Sequence, residues 1–226
     1  MQDSPGPGRP RSEASRHAIL STALRAARRD GYESLTMDRI AAEAGVGKQT
    51  IYRWWRSKAE VTLDALRELA DEQIERVDTG RLAGDLEAFL AQTFATSRTH
   101  PGLDRVLCAL MGEAQRDPAF ATLWREQLIE PRRQALQALL ERARKRGELA
   151  RSTDIALLLD VMFGTMWYRM LTGIGAVDDD LARELGALVA RAAAPGRGVS
   201  APRPARPARP ARPRGSPPRG GRTSRG

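Results

Sequence analysis

The sequence predicts an all-α protein of about nine helices, and three observations lead to this fold class. Apolar residues recur at helical spacing throughout residues 12–194. No segment there alternates apolar and polar residues over the length of a strand. Proline is confined within this stretch to positions 101, 118 and 131, so few helices are interrupted.

Capping residues and glycines place the helix boundaries. The first helix stops at Gly31, and Thr36 caps a short second helix that ends at Gly45. Ser57 caps a long fourth helix, whose end we expect at Gly80. The remaining helices are predicted near residues 48–54, 85–99, 104–116, 118–147, 153–171 and 178–193.

Two prolines shape the predicted helix at 118–147. Asp117 is its N-cap, and Pro118 occupies the first helical position, where its missing N–H is no loss. Pro131 lies inside the helix and removes one backbone hydrogen bond, which predicts a kink. The kink either opens space for a ligand or serves packing alone.

The cysteine, histidine and apolar content exclude several classes of protein. Cys108 is the single cysteine, so no internal disulfide forms, and a reducing cytoplasmic location fits. No apolar run approaches the roughly 20 residues of a membrane span, and residues 1–11 lack a signal-peptide core. His100 and Cys108 are separated by Pro101, which argues against a catalytic pair. We predict no catalytic residues, metal site or cofactor.

The segment from Thr36 to Lys58 carries the functional signal. Two short helices separated by a glycine-containing turn are typical of a helix-turn-helix motif, in which the second helix reads the major groove. Ile51 and Trp55 lie four residues apart and anchor that second helix to the core. Arginine and lysine suit phosphate or guanine, glutamine suits adenine, and threonine suits the thymine methyl group. The outward side chains are Lys48, Gln49, Thr50, Tyr52, Arg53 and Trp54.

The same segment resembles the tetracycline-repressor (TetR) family of regulators over about residues 15–65. The matching residues are Thr36, Ile40-Ala41, Ala44-Gly45-Val46, Thr50-Ile51-Tyr52, Trp55 and Ser57-Lys58. The chain departs from the family at Arg53-Trp54-Trp55, where Tyr-His-Phe is commoner, and at Gly47, where Ser is frequent. The resemblance implies that Thr36, Tyr52 and Lys58 bind DNA phosphates.

The resemblance also implies a homodimer built from the last two helices and a small-molecule cavity in the helical body. The candidate cavity residues are aromatic, leucine and methionine side chains that serve equally well as core: Phe94, Leu107, Met111, Trp124, Met162, Met166 and Trp167. The candidate dimer residues are Val161, Gly164, Leu181, Leu185 and Leu188. Gly164 fits close packing within one chain as well as across a dimer.

Charge and composition divide the chain into four parts. Residues 1–11 are predicted to be a flexible arm, 12–58 the helix-turn-helix domain, 59–194 the regulatory and dimerisation domain, and 195–226 a disordered Arg/Pro-rich tail. The tail holds nine arginines and no acidic residue. Its charge of +9 therefore equals the net charge of the whole chain. It either strengthens DNA binding or acts as a solvated spacer.

These observations predict a cytoplasmic transcriptional regulator that binds double-stranded operator DNA as a homodimer and is not associated with a membrane. We expect a repressor that reads a pseudo-palindrome and is released by a small-molecule effector. Two alternatives remain: a helical DNA-binding dimer without an effector, and a small helical enzyme. The second alternative is disfavoured because the sequence contains no paired catalytic residues.

Overall fold

The computed structural model describes residues 9–71 and 77–196, and within these ranges it contains ten α-helical segments and no strand. A π turn joins the seventh segment to the eighth, so the segments form nine helical rods. The all-α prediction is confirmed. The segments are α1 (Arg9–Asp30), α2 (Met37–Glu43), α3 (Lys48–Tyr52), α4 (Lys58–Asp71), α5 (Leu82–Thr99), α6 (Leu103–Arg116), α7 (Pro118–Trp124), α8 (Glu130–Lys145), α9 (Ile155–Thr172) and α10 (Asp179–Ala193).

Most helix boundaries agree with the sequence because the predicted capping residues act as caps. The Thr36 hydroxyl accepts a hydrogen bond from the backbone N–H of Arg39 at 3.1 Å, and Gly31 has a φ of 89° directly after α1. The predicted flexible arm is partly wrong, because α1 already begins at Arg9. Residues 1–8 of the arm and 197–226 of the tail lie outside the described residues.

The predicted end of the fourth helix at Gly80 is wrong, because carboxylates bind the backbone just before α5. The buried Asp85 accepts hydrogen bonds from Thr79 N at 2.5 Å and Thr79 Oγ1 at 2.7 Å. Asp78 accepts a bond from Gly80 N at 3.3 Å. Arg146 donates to the other oxygen of Asp85 at 2.7 Å, which ties the start of α5 to the end of α8.

The π turn at Arg125–Ile129 lies directly before Pro131. The N–H of Glu130 donates to the carbonyl oxygen of Arg125, one residue further back than in an α-helix. A proline clashes with the carbonyl four residues before it, and here that carbonyl belongs to Gln127 inside the π turn. The helix therefore continues through Pro131, and the predicted irregularity lies one turn earlier.

Two apolar cores hold the rods together. The first is formed by side chains of α1–α4 with α6 and α7, so the N-terminal helices share their core with the body. The second is formed by α5, α8, α9 and α10. Gly186 on α10 allows close approach to α5, since a Cβ there would lie 3.1 Å from the backbone nitrogen of Glu87.

Helix α9 exposes an unusual amount of apolar surface. By length and composition it is the one helix of the described chain able to cross a membrane, and 17% of it is buried. Asp160 and Arg169 interrupt the apolar residues of this helix, so it holds no continuous apolar run of the length considered from the sequence. Its exposed large apolar side chains are Leu157, Val161, Tyr168 and Leu171. A surface of this kind marks an interaction site.

Candidate DNA-binding surface and body cavity

Helices α2 and α3 are joined by a tight turn that fixes their crossing. Gly45 has a φ of 66°, and the N–H of Val46 donates to the carbonyl of Ala41 at 3.0 Å. Ile51 and Trp55 are buried, as predicted, and attach α3 to the first core. The arrangement is a helix-turn-helix, with α3 as its recognition helix.

The outward face of α3 carries the predicted DNA-reading side chains. Lys48, Gln49, Tyr52 and Arg53 are exposed, and Thr50 is half-buried. The ammonium of Lys48 lies 2.6 Å from a carboxylate oxygen of Asp38, and this hydrogen bond raises the pKa of Lys48. Both partners are largely exposed, so the ion pair is weak and a DNA phosphate can replace Asp38.

Lys58 has partners inside the chain that the sequence did not predict. Its ammonium donates to the carbonyl oxygens of Tyr32 at 3.0 Å and Glu33 at 3.3 Å. It also lies 4.4 Å from the centre of the Tyr32 ring, in cation–π geometry. Two of its three N–H donors are thus used in tying α4 to the turn after α1. Its predicted phosphate contact stays a prediction.

Trp54 lies between the recognition helix and the helical body. Its side chain is 40% exposed, and its ring centre lies 6.1 Å from that of Trp55. It lines a cleft of about 450 Å³, the junction cleft, together with Leu63 of α4, Leu123 of α7 and Gln127 of the π turn. The structure thus gives Trp54 neighbours on the body side, and its DNA contact stays a prediction.

Asp64 on α4 connects three parts of the N-terminal domain and was not predicted from the sequence. Its carboxylate accepts bonds from Arg16 of α1 at 2.7 Å, Trp55 Nε1 at 3.2 Å and Arg67 at 2.7 Å. Arg16 also bonds Glu68. Burial opposes ionisation of Asp64, but bonds from Arg67 and Arg16 hold its pKa below the ordinary value. The sequence signal for this cluster was the four-residue spacing of Asp64 and Glu68, which places both carboxylates on the same face of α4.

The helical body contains a partly open cavity of about 410 Å³, the body cavity, lined by α4–α9 and the π turn. Six of the seven predicted residues line it: Phe94, Leu107, Met111, Trp124, Met166 and Trp167. The assignment of Met162 to the cavity is wrong, because this residue does not line it and is fully buried in the second core. The charged lining residues Arg132, Arg133 and Asp160 were not predicted from the sequence. For the two arginines, the sequence signal was their position directly after Pro131, where the kink was predicted.

The candidate dimer residues divide into two groups. The assignment of Leu181 and Leu185 to the dimer interface is wrong, because they are 4% and 5% exposed and pack on α5 within the chain. Val161, Gly164 and Leu188 are exposed. A Cβ on Gly164 would meet nothing within 4 Å, so this glycine is not needed for close packing inside the described chain.

His100 and Cys108 have separate partners. The imidazole of His100 bonds the carbonyl oxygen of Thr96, and the thiol of Cys108 faces the carbonyl of Met170 at 3.7 Å. Burial raises the pKa of Cys108, the opposite of what a reactive thiolate requires. Among the described residues, no three His, Cys, Asp or Glu side chains converge as a metal site would require.

The fold and the exposed recognition helix define a helix-turn-helix DNA-binding protein with a cavity-bearing helical body. The family model described as "Bacterial regulatory proteins, tetR family" matches residues 19–72. The model described as "Tetracyclin repressor-like, C-terminal domain" matches residues 76–196.

Similar proteins extend over most of the chain. The HTH-type transcriptional regulator YdeS of Bacillus subtilis is 36% identical over 180 residues, 79% of this chain and 89% of YdeS. The DNA-binding transcriptional repressor TetR of Mycobacteroides abscessus is 34% identical over 170 residues, 75% of this chain and 88% of that protein. The crystal structure of the TetR family regulator SCO0332 has a TM-score of 0.66 and 30% identity, covering 80% of this chain and 99% of that one.

This chain belongs to the TetR family of transcriptional regulators. It is a DNA-binding regulator with the all-α fold of that family, and its relatives are regulators rather than enzymes.

Proposed function

We propose that this protein is a homodimeric cytoplasmic repressor that releases a pseudo-palindromic operator when a small molecule fills the body cavity. The observation that carries the proposal is the position of α4. One side of α4 lines the body cavity with Leu66, Leu69 and Ala70. Other residues of the same helix, Asp64 and Lys58, hold the N-terminal domain.

The π turn provides a second connection between cavity and DNA-binding domain. Leu128 and Ile129 line the body cavity, whereas Gln127 lines the junction cleft beside Trp54. A ligand that alters the packing of α4 and the π turn therefore acts on both attachments of the helix-turn-helix. The ligand favours whichever conformation it binds more tightly, and DNA affinity falls if that conformation misplaces α3.

The exposed apolar surface of α9 supports dimerisation. Leu188 of α10 is exposed as well, and a two-fold axis through the exposed apolar face of α9 buries the same residues on both chains. Gly164 is exposed on α9 and has no side chain, so it permits close helix approach, which fits a four-helix interface. Two recognition helices held about 34–36 Å apart then read adjacent half-sites on one face of the DNA.

The first test selects operator DNA from a random pool with the full chain. We expect an enriched pseudo-palindrome whose half-sites are one helical turn apart. An enriched single half-site would contradict the dimer, and enrichment of no sequence would contradict the repressor proposal.

A second test separates this proposal from a DNA-binding dimer without an effector. A small-molecule thermal-shift screen should yield compounds that raise Tm and also release the selected operator. Compounds that raise Tm and leave operator binding unchanged would favour the alternative without an effector.

A further inference from the structure

The body cavity is apolar except at a few polar side chains. Its walls are mostly leucine, methionine and aromatic residues, and Trp124 and Trp167 form one corner with ring centres 6.1 Å apart. The polar lining residues are Thr93, Thr96, Ser97, Arg132, Arg133 and Asp160. A volume of about 410 Å³ lies within the ~300–1,000 Å³ typical of small-molecule sites. The shape and lining suit a ligand with a large apolar part and one polar group.

Arg133 places a guanidinium on the wall of the body cavity. Its Nη1 atom donates to Asp160 at 2.8 Å, which uses one of the five N–H donors of the guanidinium. The side chain of Arg133 is 28% exposed, whereas that of Asp160 is 63% exposed. In the single chain, water therefore solvates the carboxylate more fully than the guanidinium, and the more enclosed charge of this pair is positive.

We propose that the effector is an amphipathic anion, an apolar chain or ring system that ends in a single carboxylate held by Arg133. This inference rests on the proposed function, in which the body cavity is the effector site. A guanidinium matches a carboxylate with parallel hydrogen bonds, and these bonds strengthen where water is excluded. The apolar part of the ligand packs against Trp124, Trp167 and the cavity methionines.

The experiment compares three probes that share one alkyl chain and differ only in the head group. Decanoate, decanol and decyltrimethylammonium are titrated calorimetrically into the full-length protein, each below its micelle concentration. We expect decanoate to bind at least about tenfold more tightly than the other two, the ratio that one charge-assisted hydrogen bond provides. Equal binding of the three probes, or tighter binding of the cation at the Trp124–Trp167 corner, would overturn the proposal.

Two variants with opposite expected effects distinguish recognition from structural damage. Arg133→Gln should weaken decanoate binding about tenfold or more and leave decanol unchanged. Asp160→Asn should tighten decanoate binding, because it removes the negative charge beside Arg133. Arg151→Gln is the matched control, since Arg151 is exposed and does not line the cavity. Weaker decanoate binding in both cavity variants would contradict the assigned role of Arg133.

Operator binding is measured on the same preparations. A protein that binds its operator and none of the three probes would overturn the ligand class and leave the regulator proposal intact. A protein that binds decanoate as expected and enriches no operator would overturn the regulator proposal alone.

Discussion

Replacing Asp64 with asparagine tests how the recognition helix is held. The substitution keeps the size of the side chain and removes its charge, and only one of the two oxygens remains an acceptor. If that oxygen stays with Arg16 and Trp55, the amide nitrogen faces the donors of Arg67. Arg67 is 41% exposed, so water offsets much of that loss. The bond from Arg16 weakens because its acceptor changes from a carboxylate to a neutral amide oxygen and the ion pair is lost. The expected loss of unfolding free energy is about 1–3 kcal/mol.

Urea unfolding at neutral pH measures this loss. The matched control is Asp180→Asn, whose pair with Arg183 is solvent-exposed on both sides and should contribute little to stability. Because Trp55 lies three residues after the end of α3 and attaches it to the first core, Asp64→Asn should also weaken operator binding by the folded protein. If the two variants unfold at the same urea concentration, the proposed role of Asp64 is refuted.

The pH dependence of the same variant has a definite sign. The pKa of Asp64 is lower in the folded protein than in the unfolded chain. Its contribution is therefore complete above the unfolded pKa, roughly 4, and is lost as the pH falls through the folded value. The stability difference between wild type and Asp64→Asn should narrow below about pH 4, and a gap that widens there would contradict the assignment.

Three further predictions concern DNA binding and assembly. Gln49→Ala or Arg53→Ala should cost roughly 1–3 kcal/mol on the selected operator and little on random DNA in a binding titration; equal losses on both would indicate phosphate contacts only. The double variant Val161→Arg and Leu188→Arg should stay folded, because both side chains are exposed in the single chain, and should be monomeric, because a dimer would bury unpaired charge. An unchanged dimer in analytical ultracentrifugation would exclude this face as the interface. Deleting the tail, residues 195–226, should reduce the slope of log K against log salt by about 0.9 for each phosphate that the tail neutralises, and should weaken binding to operator and random DNA alike. Superimposable slopes would mean that the tail does not touch DNA.

Local chemistry made much of the fold predictable. Thr36 and Asp117 cap their helices because their side chains satisfy backbone N–H groups nearby in sequence. The end of α4 was not predictable in this way, because the backbone around Thr79 is bound by Asp85 and, through it, by Arg146, 61 residues further on. Capping rules consider only neighbours along the chain.

The site was predictable to a similar extent. The outward face of α3 follows from helical periodicity once Ile51 and Trp55 are assigned to the core. The apolar stripe of α10 predicts burial but not the partner, so Leu185 was assigned to another chain although it packs within its own. The junction cleft beside Trp54 depends on α4 and α7 meeting α3, which no local pattern encodes.

Pro131 has a consequence for what the body cavity presents to a ligand. One residue more or less in a helix turns everything beyond it by about 100° and shifts it by about 1.5 Å. The π turn at Arg125–Ile129 adds such a residue, and Pro131, which has no N–H for the carbonyl of Gln127, stops the ordinary helical register from closing over it. The proline thereby helps to fix which face of α8 is turned towards the body cavity. Without Pro131 that register could close, and the packing of Leu136, Leu139 and Leu140 in the second core would then have to keep the guanidinium of Arg133 on the cavity wall.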